Sequence, residues 1–170
     1  TYIVDNAGDT VAESAGGGTG DLVQASVSFT LGAEVEKLTL TGSAAINGTG
    51  NDLANVLTGN TGNNVLDGGL GADALAGASG REILVGGKGD DTITAGAGAD
   101  VFAFNKGDGR DTIVPTAGAD DTLSLGGGLR YADLGLRKVG SDLVLDAGTD
   151  QVTLKDWYAA ASNHRIAQLQ

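Results

Sequence analysis

Between residues 50 and 103 every ninth position is apolar. Cut into nines, the segment reads GNDLANVLT, GNTGNNVLD, GGLGADALA, GASGREILV, GGKGDDTIT and AGAGADVFA. The eighth place holds Leu57, Leu66, Leu75, Leu84, Ile93 and Phe102. With apolar usage near one half, such a run arises by chance about one time in a hundred. The sixth place holds Asn55, Asn64, Asp73, Glu82, Asp91 and Asp100, always a side chain with an oxygen to offer. Glycine stands at the first place in five blocks and at the fourth in five. A flexible glycine-rich linker shares the composition but has no reason to keep an apolar residue at a fixed address. The pattern divides each block into six residues of turn and three of strand. Glycines at the first, second and fourth places permit positive φ and close backbone approach. In the short strand one side chain points inward and its neighbours outward. Two blocks then make a coil of eighteen residues. Leu57, Leu75 and Ile93 are predicted to stack on one sheet, and Leu66, Leu84 and Phe102 on the sheet facing it. The fold class is therefore all-β, a parallel solenoid.

The flanks alternate without the nine-residue period. Residues 21–31, DLVQASVSFTL, place Val23, Ala25, Val27 and Phe29 on one face, and VEKLTLTG at 35–42 continues through Leu38 and Leu40. Residues 1–49 are read as wider coils of the same solenoid. The Thr39–Thr41 pair reads as ordinary outward strand threonines, since no regular row of such pairs follows. After residue 115, strands are expected with Leu123/Leu125, Leu143/Leu145 and Val152/Leu154 inward, and a hairpin turning at Gly140–Ser141. DWYAAASN predicts a short helix with Asp156 as N-cap, and RIAQL a last strand. Trp157 and Tyr158 read as core of this C-terminal segment, His164 as a lone surface residue and Asp146 as a solvated turn residue. The organisation is 1–49 coils, 50–114 repeats and 115–170 a β-rich cap, one continuous unit. The chain opens at TYIVDNAGD in mid-pattern, as a piece of a longer protein would.

Charge adds a partner. Acids outnumber bases 22 to 10, the net charge is −12, and glycine takes 30 positions. Such a surface disfavours nucleic acid and anionic membranes and suits a cation. Cysteine is absent, so there is no disulfide frame, thiolate site or cysteine nucleophile. No apolar run is long enough for a transmembrane helix. In the solenoid, sixth-place carboxylates two blocks apart lie about one strand spacing, ~4.8 Å, from each other and repel. A divalent cation between the loops removes that repulsion. An all-oxygen donor set selects Ca²⁺ over softer metals, and a single His without Cys argues against zinc. No nucleophile elbow, zinc-protease helix or phosphate loop occurs.

GGLGADALA (68–76) and GGKGDDTIT (86–94) resemble the GGxGxDxUx nonapeptide of the RTX, or haemolysin-type, calcium-binding repeats. A seventh block, KGDGRDTIV (106–114), follows a two-residue slip at Phe104 and Asn105. The resemblance implies a parallel β-roll with Ca²⁺ held between loop n and loop n+2, each loop giving carbonyls and its sixth-place Asp. Carried onto this chain, Asp73 and Asp91 pair, with carbonyls from 68–71 and 86–89, among them Gly69, Gly71, Gly86, Gly87, Lys88 and Gly89. Asp100, in the loop of Gly96 and Gly98, pairs with Glu82. Asp91 pairs again with Asp111 if the slip is absorbed as a bulge. Asn55 and Asn64 bring no charge, so their sites are expected weak or empty. Asp52 is a ligand only if the first loop is wider than the rest. Glu82 is a methylene longer than Asp, and Arg81 beside it either repels a cation or pairs with Glu82. The resemblance further implies a non-catalytic module of a secreted bacterial protein, exported by type I secretion and folded by external Ca²⁺, whose partners are calcium ions and the rest of its parent protein. Alternatives are an adhesive or glycan-binding surface of a large adhesin, and a polysaccharide-active solenoid domain.

Overall fold

A computed structural model describes residues 1–116 and 120–159, and the backbone of 166–169. The strands in chain order are β1 (Tyr2–Val4), β2 (Leu22–Ala25), β3 (Phe29–Thr30), β4 (Lys37–Leu40), β5 (Gly48–Thr49) and β6 (Val56–Thr58). Then come β7 (Val65–Leu70), β8 (Ala74–Ser79), β9 (Ile83–Lys88), β10 (Thr92–Ala97), β11 (Val101–Asn105) and β12 (Arg110–Val114). The last are β13 (Asp121–Gly126), β14 (Gly135–Val139), β15 (Asp142–Ala147), β16 (Asp150–Leu154) and β17 (Ile166–Leu169). From β2 to β14 successive strands alternate between two sheets. The first has the order β1-β2-β4-β6-β8-β10-β12-β16-β15-β14, the second β17-β13-β11-β9-β7-β5-β3. Pairing is parallel up to β16 and β17, and β14–β15–β16 close the first sheet as an antiparallel meander.

The eighth-place residues form the core. Leu57, Leu75 and Ile93 stand in register on the first sheet, and Leu66, Leu84 and Phe102 on the second. All six are buried. The inner row runs on through Val23 and Leu38 at one end and Ile113 and Leu154 at the other. One apolar side chain per half-coil is a thin core, and much of the order comes from the ladder between coils.

That ladder is longer than three residues per block. β7 to β10 each span six residues and leave only three for the turn. The second-place residues stay in register, Gly69 with Gly87 and Gly96 with Ala78. The turns themselves are hydrogen-bonded, Gly71 N–H to Lys88 O at 2.9 Å and Gly80 N–H to Ala97 O at 2.9 Å. Stacked loops with the same bends can pair their peptide groups just as strands do.

Other parts differ from the sequence reading. Residues 21–31 form two strands, β2 and β3, on opposite sheets, because the chain turns a corner at Ser26–Ser28. The two-residue slip is taken up by a longer turn at 106–109 rather than a bulge, so β10 and β12 pair with an offset of twenty, Thr92 against Thr112. The hairpin turns at Gly140 with φ 61°. Among the described residues DWYAAASN begins as a turn rather than a helix. Asp156 sits at φ 54°, and its N–H donates to Asp142 Oδ1 at 2.9 Å. The remainder of that expected helix and His164 lie outside the described residues. Trp157 packs on the core while Tyr158 is exposed, with Lys138 Nζ 4.7 Å from its ring centre. Asp146 is no free turn residue, for it accepts from Arg137 Nε at 2.6 Å and from Gln151 Nε2 at 2.7 Å on the meander.

Candidate metal centre

Coils of eighteen residues through the repeats, and of twenty and twenty-one after them, put the sixth-place side chains and Asp121 each directly above a counterpart one coil earlier. This builds a row along each edge of the roll. On the first edge Asn55 N–H donates to Asp73 Oδ1 at 2.7 Å, Asp73 N–H to Asp91 Oδ1 at 2.8 Å, and Asp91 N–H to Asp111 Oδ1 at 3.2 Å. On the second edge Glu82 N–H donates to Asp100 Oδ1 at 2.8 Å and Asp100 N–H to Asp121 Oδ1 at 3.0 Å. Every one of these side chains is buried. A backbone N–H given to a carboxylate is a charge-assisted bond of about 1.5–3 kcal/mol.

Asp73, Asp91 and Asp100 use one oxygen this way and leave the other with nothing. Oδ2 of Asp73, Asp91 and Asp100 and both oxygens of Glu82 are buried with no hydrogen-bond partner. The surroundings hold acceptors, not donors. A Cβ placed on Gly68 would collide with both Asp73 Oδ2 and the carbonyl oxygen of Gly86. A Cβ on Gly86 would strike Asp91 Oδ2 in the same way. First-place glycines therefore serve close approach, with no positive φ required of them. Positive φ belongs to the second place (Gly69 96°, Gly87 99°, Gly96 115°) and the fourth (Gly71 112°, Gly80 118°, Gly89 144°, Gly98 149°).

Buried oxygens that lack donors and face other oxygens fit either a cation or a proton. Burial pushes the Asp73 carboxyl up to about 6, with the N–H of Asn55 opposing and the charge of Asp91 adding to the rise. Burial likewise pushes Asp111 up to about 8, the bond to Asp91 opposing and the charges of Asp91, Asp108 and Asp90 adding. Glu82 rises to about 8 through burial and its neighbour Asp100. Asp91 is raised by burial as well. Two unit charges one strand spacing apart repel by roughly 3 kcal/mol at an effective dielectric of about 20. Among the described residues no three Asp, Glu or His side chains converge on one point. A cation held here takes two carboxylates at most and completes its shell with carbonyls. That donor set suits a hard cation of high coordination number.

The loop of Asp52 has the same length as the next, since β6 and β8 pair eighteen apart. Asp52 is thus at a third place, exposed and off the row. Lys88 is exposed, and its carbonyl already accepts from Gly71. Arg81 is exposed and does not pair with Glu82, whose oxygens are both free. Asn55 and Asn64 lie in the rows, but their amides are engaged. Asn55 Nδ2 donates to Val35 O at 3.2 Å and Asn64 Nδ2 to Ile46 O at 2.7 Å. Asp121 was missed by the nine-residue frame. Its signal is the triad Asp121-Thr122-Leu123, which repeats Asp91-Thr92-Ile93 and Asp111-Thr112-Ile113. Glu36 was missed too, and it accepts from Asp21 N–H at 3.0 Å as the first rung of the first edge. Both rows end at apolar residues, Val152 in register with Asp111 and Ile166 with Asp121.

Residues 49–81 and 77–113 match the family described as RTX calcium-binding nonapeptide repeat (4 copies). No curated protein matches the chain. Among solved structures, the extracellular lipase LipA from Serratia marcescens is similar at 15% identity with a TM-score of 0.35. The match covers 67% of this chain and 38% of the lipase chain, so the chain spans well under half of that protein.

Proposed function

Because residues 49–113 carry RTX calcium-binding nonapeptide repeats, we propose that this chain is a module whose roll closes on Ca²⁺ and stays loose without it. The observation that carries this reading is the set of buried carboxylate oxygens with no donor, at Asp73, Asp91, Asp100 and Glu82. Four inter-loop positions follow from the rows, between Asp73 and Asp91, Asp91 and Asp111, Glu82 and Asp100, and Asp100 and Asp121. At the Asp73–Asp91 and Glu82–Asp100 positions the upper carboxylate offers an unpartnered oxygen, and at all four carbonyls of the stacked turns would supply the rest. When bound, the ion contributes charge and nothing catalytic. The chain's own part is to hold the carboxylates in line by their N–H bonds, to keep side chains out of the cradle with first-place glycines, and to bury the site between coils.

The physical consequence is a switch set by calcium supply. Without the ion, burying a row of anions opposes closure; with it, binding energy becomes folding energy. Such a device suits export in an unfolded state followed by folding outside the cell, in a secreted bacterial protein whose other domains this module would stabilise. Residues 1–49 would form the leading coils, 50–114 the calcium-dependent roll and 115–170 the closing segment. No helix among the described residues is long and apolar enough to cross a membrane. Calorimetric titration of the chain with Ca²⁺ and with Mg²⁺ tests the reading. Several Ca²⁺ ions per chain, with Mg²⁺ failing to replace them, are expected. Fewer than two Ca²⁺ ions, or equal response to Mg²⁺, would overturn it.

A further inference from the structure

The two loops whose sixth place is asparagine solve the same problem without charge. Their second place carries Asn51 and Asn60 where the later loops have Gly69, Ala78, Gly87 and Gly96. Asn51 Nδ2 donates to Gly32 O at 2.7 Å and Val35 O at 2.8 Å. Asn60 Nδ2 donates to Thr41 O at 3.0 Å and Ala44 O at 3.0 Å. The two sets of partners lie at identical separations along the chain, 19 and 16 residues back. Each amide oxygen meanwhile accepts an N–H two residues on, Leu53 at 2.9 Å and Gly62 at 2.8 Å. That closes an Asx turn and fixes which way the amide points.

In both loops the sixth-place residue is also neutral and satisfied. Asn55 Oδ1 accepts from Asn51 N–H at 2.7 Å, and Asn64 Oδ1 from Asn60 N–H at 2.8 Å. A boundary results. From residue 22 onward, every described buried side-chain oxygen without a partner lies at Asp73 or beyond.

We propose that the Asn51 and Asn60 amides are built-in substitutes for the cation, so that the coils from Leu22 to Leu66 close without metal and template the calcium-dependent coils that follow. An –NH₂ group brings two electropositive hydrogens to two carbonyls of the neighbouring loop, which is the pull a cation would exert there. It does so without stacked anions, so no repulsion has to be relieved first. The later coils then add onto an existing sheet edge at β6 and β7, which lowers the entropic cost of starting the roll. This inference rests on the calcium reading for residues 68–121.

Peptide-resolved hydrogen exchange on the full chain tests it, in chelator and in millimolar Ca²⁺. In chelator, peptides within 37–66 should exchange about a hundred-fold or more slowly than peptides within 74–114. Calcium should then slow the second group. The double variant N51D/N60D keeps the size and the Asx acceptor but replaces the –NH₂ with a carboxylate oxygen. It should lose the protection of 37–66 in chelator and regain it with Ca²⁺. Equal exchange of both groups in wild-type chelator samples, or unchanged protection in N51D/N60D, overturns the inference. If 74–114 gains no protection from Ca²⁺ while 37–66 stays protected, the calcium reading fails and the asparagine lock stands.

Discussion

The backbone N–H of Asp73 donates to Oδ1 of Asp91 at 2.8 Å, while Oδ2 of Asp91 is buried with no partner at all. Half of the Asp91 carboxylate is thus structural and half is unused, and Asp73 and Asp100 repeat that division. The unused half is what a cation would neutralise.

Asp91 lies between Asp73 and Asp111 and belongs to two positions at once. Asp91→Ala is expected to raise the Ca²⁺ midpoint by about ten-fold or more, equivalent to roughly 1.4 kcal/mol. Asp52→Ala, at an exposed third place, should leave it unchanged. Calorimetry on the two variants checks this, and equal midpoints would remove Asp91 from the site.

Acid should substitute for calcium. Asp73 is raised to about 6, and Glu82 and Asp111 to about 8, against ordinary values near 4 in the unfolded chain. A carboxyl raised on folding stabilises the fold fully below its unfolded value, and that contribution is lost as pH climbs through the folded value. In chelator the roll should therefore be more ordered at pH 5 than at pH 8.5, with the loss spread over about pH 6–8. Circular dichroism in chelator across that range is the measurement, and a flat or inverted profile would contradict it.

Ala78 occupies a second place, in register with Gly96, at φ 123°. A residue with a Cβ is strained there, whereas glycine is not. Ala78→Gly should stabilise the calcium-bound chain by about 1–2 kcal/mol. A thermal melt of the variant that fails to rise would show that the coil has relaxed around Ala78.

Gly86 is needed for space. Gly86→Ala puts a methyl group against Asp91 Oδ2 and should weaken Ca²⁺ binding at least as much as Asp91→Ala does. Gly135→Ala, whose added Cβ meets nothing nearer than 3.9 Å, should bind as the parent does. Equal binding by both variants would argue against the cradle.

The roll was legible because its period is strict where its core is thin. One apolar residue every ninth place told the two sheets, their facing rows and their register from Leu57 to Phe102. The same frame hid what lay outside it. Asp121 follows a spacer without the glycine pair, so only its Asp-Thr-Leu triad marks it. Glu36 lies where the coil steps are fifteen and then nineteen residues, not wider throughout as the alternation suggests, so a nine-residue count does not reach it. The second-place asparagines were passed over because composition presents Asn51 as a turn residue. Its function depends on carbonyls sixteen and nineteen residues earlier, a relation visible only once the coils are stacked. The strand length was underestimated for a related reason, since hydrogen bonds between stacked glycine turns leave no mark on side-chain pattern.

The most direct test of the calcium switch is far-ultraviolet circular dichroism of the whole chain, titrated with Ca²⁺ from chelator at pH 7.5. A cooperative gain of β signal with a midpoint at roughly 10⁻⁴–10⁻³ M is the predicted result. A spectrum identical in chelator and in millimolar Ca²⁺ would contradict it.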